Sequence, residues 1–155
     1  MKVIVDTCVW SRFLRRNRPA SDPVAEEVAR LVRRDAVQLL GPIRQELLSG
    51  AQPDERFEQL KEYLRFYPNL TLDEEDDETA AGYYNRLRQR GLQSTGTDLL
   101  ICAVAVRHGL KFFTTDTDFA AYAPNTVSDF SFSPAARGCS EMSSLPMPLF
   151  PRPSI

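Results

Sequence analysis

Asp6, Glu46, Asp98 and Asp116 are the side chains best placed to do chemistry in this chain. They stand in the segments MKVIVDTCVW, GPIRQELLSG, STGTDLLICAVA and KFFTTDTDF. Each lies where an apolar segment ends or where a helix begins, so one α/β fold can bring all four to a common rim. Carboxylates held close together repel one another and raise one another's pKa values. A hard divalent cation relieves that repulsion and prefers oxygen ligands, which points to Mg²⁺ or Mn²⁺. Such a site activates water and neutralises charge on a phosphate, so the chemistry expected is metal-dependent phosphoester hydrolysis. Taken singly, Asp98 and Asp116 also suit helix capping. Glu46 follows an apolar helix start and caps nothing.

The elements that must position these residues are legible from periodicity and punctuation. Lys2 to Val5 reads as a short buried strand ending at Asp6, followed by a helix over 7–16 with Val9, Trp10, Phe13 and Leu14 inward. Asp22-Pro23 starts a helix that runs to Arg34. Val37 to Leu40 is a second strand, turned by Gly41-Pro42 into the helix that carries Glu46. Pro53 opens a helix with Phe57, Leu60 and Leu64 inside, and Asn69 to Leu72 is expected as a third strand. The acidic run Asp73 to Glu78 leads into the helix of Ala80 to Arg90, where negative charge favours the N-terminal dipole, so it is read as capping rather than metal binding. Gly96-Thr97-Asp98 opens a very apolar helix that ends at Arg107, His108 and Gly109. His108 is read as a structural or surface residue. Lys111 to Thr115 is the next strand, and Asp118-Phe119 starts the last helix. Strands alternating with helices predict a mainly parallel sheet with helices on both faces. In such sheets ligands bind beyond the carboxyl ends of the strands, where Asp6 and Asp116 fall.

At 155 residues and 43% hydrophobic content, the chain is sized for one domain with one core. Residues 1–132 are expected to form it. Residues 133–155 read as a Pro/Ser-rich tail, extended or disordered, with Val127 to Phe132 as a final edge strand. No apolar run is long enough for a membrane span, and the apolar start is too short for a signal peptide, so a cytoplasmic protein without membrane attachment is expected. Cys8, Cys102 and Cys139 form no CxxC pair, which argues against a zinc site or a disulfide framework. The net charge of −2 does not advertise a nucleic-acid binder. Lysine occurs only at Lys2, Lys61 and Lys111, and the cluster Arg12, Arg15, Arg16 and Arg18 is a candidate phosphate-binding rim. Phe57, Tyr63, Phe66, Tyr83 and Tyr84 read as exposed aromatics, from which a homodimer is expected.

The order and spacing of VIVDTCVW, GPIRQELLSG, TGTDLLICAVAVRHGL and TTDTDF resemble the PIN-domain ribonucleases over residues 1–123, and most closely the VapC-type toxins of toxin–antitoxin pairs. That resemblance implies a PIN-like three-layer α/β/α sandwich with a mainly parallel central sheet. It further implies Mg²⁺- or Mn²⁺-dependent cleavage of RNA and a cognate antitoxin protein that blocks the site. Asp6, Glu46, Asp98 and Asp116 match the family's acidic quartet, with Asp6, Asp98 and Asp116 on the metal. Asp118 matches a less regular acidic position that helps hold metal or water. Thr7 and Thr115 match small hydroxyl positions beside the acids. The Pro/Ser-rich end departs from the family, whose members usually finish with a short strand.

Rival readings are another PIN-domain RNA-processing nuclease, a PIN fold turned binding module, a haloacid-dehalogenase-like phosphatase and a receiver-type phospho-switch. The phosphatase needs an Asp two residues after the first, where this chain has Cys8. The receiver needs paired acids after the first strand, where Asp6 is followed by Thr7, and a late lysine at a strand end, whereas Lys111 begins a strand.

Overall fold

The structure is a computed structural model and describes residues 1–15, 21–126 and 132–134, with side chains to Tyr122. Among the described residues, four short parallel strands form the centre: β1 (Val3–Val5), β2 (Val37–Gln38), β3 (Lys111–Thr114) and β4 (Phe132–Pro134), in the order β2-β1-β3-β4. The two central strands, β1 and β3, are the ones that end in acids. Their register sets Val5 beside Phe113, and the Asp6 N–H reaches the Phe113 carbonyl at 3.0 Å. One step further along brings Asp6 level with Thr114.

Among the described residues, seven helices flank the sheet: α1 (Thr7–Phe13), α2 (Pro23–Arg33), α3 (Gly41–Ser49), α4 (Asp54–Leu64), α5 (Glu74–Gln89), α6 (Gly96–Arg107) and α7 (Asp118–Thr126). Most start as the sequence dictates. Asp22 caps α2 through the Val24 and Ala25 N–H groups, with Pro23 in the first turn. Asp73 caps α5 in a reciprocal box with Asp76, so the acidic run is a helix start, as its spacing suggested. α6 is apolar on nearly every side, with Leu99, Ile101, Cys102, Ala103, Val104 and Ala105 all buried. A helix of that kind belongs in the interior, and α6 packs most extensively against α5.

Three expectations change. Asn69 to Leu72 is not a strand: it makes a single parallel bridge, Leu39 to Asn69. β2 is only two residues long, so little edge remains to pair with, and the Asn69 side chain is held by Arg44 at 2.8 Å. Tyr63 and Tyr83 are core residues, at 4% and 6% exposure, whereas Phe66 and Tyr84 are exposed. Tyr63 can be buried because its hydroxyl pairs with that of Tyr67 at 3.1 Å. The last strand begins at Phe132, and residues 127–131 lie outside the described residues. β4 includes Ser133 and Pro134 and so runs across the 132/133 boundary drawn from composition.

Candidate active site

Asp6 terminates β1 and is also the N-cap of α1. Its Oδ1 accepts the Thr7 N–H at 2.7 Å. Its Oδ2 accepts the Thr114 hydroxyl and, at 3.3 Å, the Cys8 thiol. Only 9% of the residue is exposed. Burial pushes its pKa up against those three donors, and Glu46 adds like-charge repulsion.

Glu46 is exposed on α3. Its Oε2 accepts the Thr7 hydroxyl at 2.8 Å. Thr7 therefore links two acids, its N–H on Asp6 and its hydroxyl on Glu46. Asp98 lies in the first turn of α6, half-buried, with its N–H bonded to the Thr95 hydroxyl at 3.1 Å. Burial raises the pKa of Asp98, opposed by Thr95, and the charges of Asp116 and Glu46 raise it further. Asp116 follows β3 and is exposed. Its Oδ1 accepts the Asp118 N–H at 2.9 Å, and its own N–H is bonded to the Thr114 hydroxyl at 3.0 Å.

The four acids thus form a chain of electrostatic neighbours, Asp6 to Glu46 to Asp98 to Asp116. They are spread along the rim rather than packed to a point. Among the described residues no three His, Cys, Asp or Glu side chains are close enough to surround one ion directly. Like charges repel, and each of the four is tied to a local donor: Asp6 to Thr7, Thr114 and Cys8, Glu46 to Thr7, Asp98 to Thr95 and Asp116 to Asp118. The all-oxygen donor set still fits Mg²⁺ or Mn²⁺, because Mg²⁺ keeps several waters and is reached through one or two carboxylates. Asp118 is exposed at the start of α7, joined to the group by its bond to Asp116.

One position near the acids carries a role that sequence reading did not assign. Thr114, fully buried, donates to Asp6 and accepts from the Asp116 backbone, so it ties the ends of β1 and β3 together. Its signal was the β1/β3 register, which only pairing reveals. Of the expected hydroxyls, Thr7 touches an acid, whereas Thr115 donates instead to the Cys8 thiol at 3.1 Å. Arg12 of the candidate phosphate rim is engaged by Asp22 at 2.7 Å. Arg16 and Arg18 lie outside the described residues. Cys8 and Cys102 are not in disulfides and are half-buried and buried.

The sequence matches the PIN domain family over residues 3–124. The chain belongs to the PIN-domain family. Two curated relatives are VapC ribonuclease Mb1587 of Mycobacterium bovis and ribonuclease VapC11 of Mycobacterium tuberculosis. Each is 33% identical over 125 residues, spanning 78% of this chain and 91% of the relative. The PIN domain described here is therefore of the VapC type. Solved structures agree on the fold. FitAcB from Neisseria gonorrhoeae superposes with a TM-score of 0.66 at 24% identity, covering 84% of this chain and 95% of that one. VapBC2 from Rickettsia felis, bound to a DNA fragment from its promoter, gives a TM-score of 0.67 at 16% identity, covering 88% and 100%. PIN membership sets aside the phosphatase and receiver readings.

Proposed function

We propose that this PIN-domain protein is a metal-dependent endoribonuclease, the toxin of a VapBC-like toxin–antitoxin pair acting in the cytoplasm. One observation carries the reading: four carboxylates from β1, α3, α6 and the end of β3 are electrostatic neighbours, and the pKa values of Asp6 and Asp98 are raised. The VapC ribonucleases that the chain resembles support RNA as the substrate.

Bound Mg²⁺ or Mn²⁺ would supply an activated water and charge neutralisation at the phosphate. Asp6, Asp98 and Asp116 would hold it, directly or through water, with Asp118 assisting. The residues of the chain do the rest. Thr7, Thr114 and Cys8 fix the Asp6 carboxylate, so it does not reorganise when the substrate arrives. Glu46 keeps Oε2 on Thr7, which leaves Oε1 as the proton acceptor for the attacking water. The test is cleavage of a labelled single-stranded RNA by the purified chain. Cleavage is expected to stop in EDTA and return with Mg²⁺ or Mn²⁺. Cleavage indifferent to chelation contradicts the proposal.

The partner reading rests on the solved VapBC complexes. The toxin is expected to bind a cognate antitoxin near the acidic rim and to form a homodimer, for which the exposed Phe66 and Tyr84 each offer apolar surface. Light scattering should give twice the monomer mass of 17.5 kDa, and a monomer at working concentration contradicts the dimer. Among the described residues no helix is long and apolar enough to cross a membrane.

A further inference from the structure

α2 and its C-cap residue carry Glu27, Arg30, Leu31 and Arg34 at i, i+3, i+4 and i+7, the spacing of one helix face. That face and the amino ends of the strands line a cavity of about 720 Å³. Val3 opens β1 and is the register partner of Lys111, which opens β3. The Val3 N–H donates to the Ala36 carbonyl, just before β2, at 2.7 Å. Strand residues alternate between faces, so Lys111 and Phe113 point the same way. Val3, Leu31 and Phe113 give the cavity an apolar floor, and Arg30, Arg34 and Lys111 bring cations to it. Among the described residues that line it, three cations face one carboxylate, Glu27. Glu27 gives both its oxygens to Arg30, to Nε at 2.7 Å and to Nη2. The positive surplus therefore falls on Arg34 and Lys111, and both are exposed. The chain as a whole carries −2, and the acids Asp6 and Asp116 follow the opposite, carboxyl ends of the same two strands. An anion is drawn to the end where the cations stand. A guanidinium fork matches phosphate oxygens, and a lysine adds a point charge. A sugar phosphate would set hydroxyls on the apolar floor, whereas a nucleobase sets a flat apolar face there. The cavity volume is that of a small-ligand site, mostly apolar with a few convergent polar groups.

We propose that this cavity binds a free nucleotide, its phosphate on Arg34 and Lys111 and its base over Val3, Leu31 and Phe113. The site lies at the far end of the sheet from the acidic rim and does not depend on the ribonuclease reading. The test is calorimetric titration of ADP into the full chain, in EDTA so that no metal ion lets the acidic rim hold the nucleotide. A Kd below about 1 mM is expected. Arg34→Gln and Lys111→Gln each remove one exposed cation, and each is expected to raise Kd about tenfold, as suits one charge-assisted contact. Arg34→Lys keeps the charge and should recover part of the loss. Arg65→Gln removes an exposed cation beyond the end of α4, outside this cavity, and should leave Kd unchanged. Adenosine, which lacks the phosphate, and inorganic phosphate, which lacks the base, should each bind about tenfold more weakly than ADP or worse. Absence of ADP binding overturns the proposal. So does a Kd indifferent to Arg34 and Lys111, or one that weakens equally in Arg65→Gln, which would mark diffuse charge attraction. Inorganic phosphate binding as tightly as ADP overturns the nucleotide assignment. RNA cleavage enters none of these readouts, so the outcome stands apart from that of the chelation test above.

Discussion

Thr114 has a small side chain with an outsized position, because one buried hydroxyl serves Asp6 of β1 and the Asp116 backbone beyond β3. Thr114→Val keeps the shape and removes both bonds. It leaves a buried carboxylate short of a donor, which costs on the order of 1–3 kcal/mol. We expect a lower midpoint in urea and RNA cleavage reduced by about tenfold or more, and unchanged cleavage would show that the tether plays no part. The raised pKa of Asp98 sets a second expectation. A carboxyl whose folded value exceeds the ordinary 3.8 contributes stability that is fully present below the ordinary value and is lost as pH rises through the folded one. In EDTA, then, Asp98→Asn should gain stability relative to wild type as pH climbs from about 4 toward neutral. Urea titrations across that range would reveal a flat difference if the burial and repulsion at Asp98 carried no cost. The four acids were legible in the sequence because carboxylates at strand ends and helix starts are conspicuous. Thr114 was not, because a threonine ending an apolar strand looks the same whether or not a carboxylate lies opposite.

At the scale of elements, the start of α5 shows how a charge run becomes structure. Asp76 is fully buried and accepts from the Asp73 N–H, from Arg107 and from His108 at the end of α6. Burial opposes its charge, yet these partners outweigh it and hold the pKa below the ordinary value. The network locks α5 to α6 and so fixes the helix that carries Asp98. Asp76→Asn should cost about 2 kcal/mol, the scale of charge-assisted hydrogen bonds in a buried setting, and lower Tm by several degrees. The sign with pH is opposite to that of Asp98: the contribution is present above 3.8 and lost as pH falls through the depressed folded value. A mutant that melts with wild type would show that the network is ornamental. Capping and helical periodicity were readable because they are local. Asn69 to Leu72 misled because β propensity says nothing about whether a partner edge exists, and Tyr63 misled because its hydroxyl meets that of Tyr67, four residues on, only through the way the chain turns beyond the end of α4.

The whole molecule reads as one PIN domain whose parallel sheet carries its acids at the carboxyl end. The alternation of strands and helices made that architecture legible, whereas composition alone placed the domain boundary inside β4. Because Ser133 and Pro134 pair with β3, the cut that should spare the fold comes after Pro134. We propose that a chain lacking residues 135–155 keeps Tm within about 2 °C of full length and retains metal-dependent cleavage. A larger loss would assign those residues to the core. The central claim, that the acidic rim is a catalytic metal site and not a structural cluster, turns on two effects of opposite sign in one variant. The measurement is single-turnover RNA cleavage with Mg²⁺ by wild type and Asp98→Asn, paired with their melting temperatures in EDTA. Cleavage should fall by roughly 10²-fold or more, while Tm in EDTA stays equal or rises because one repelling carboxylate has gone. Cleavage at the wild-type rate, or a mutant that loses activity only because it melts earlier in EDTA, would contradict it.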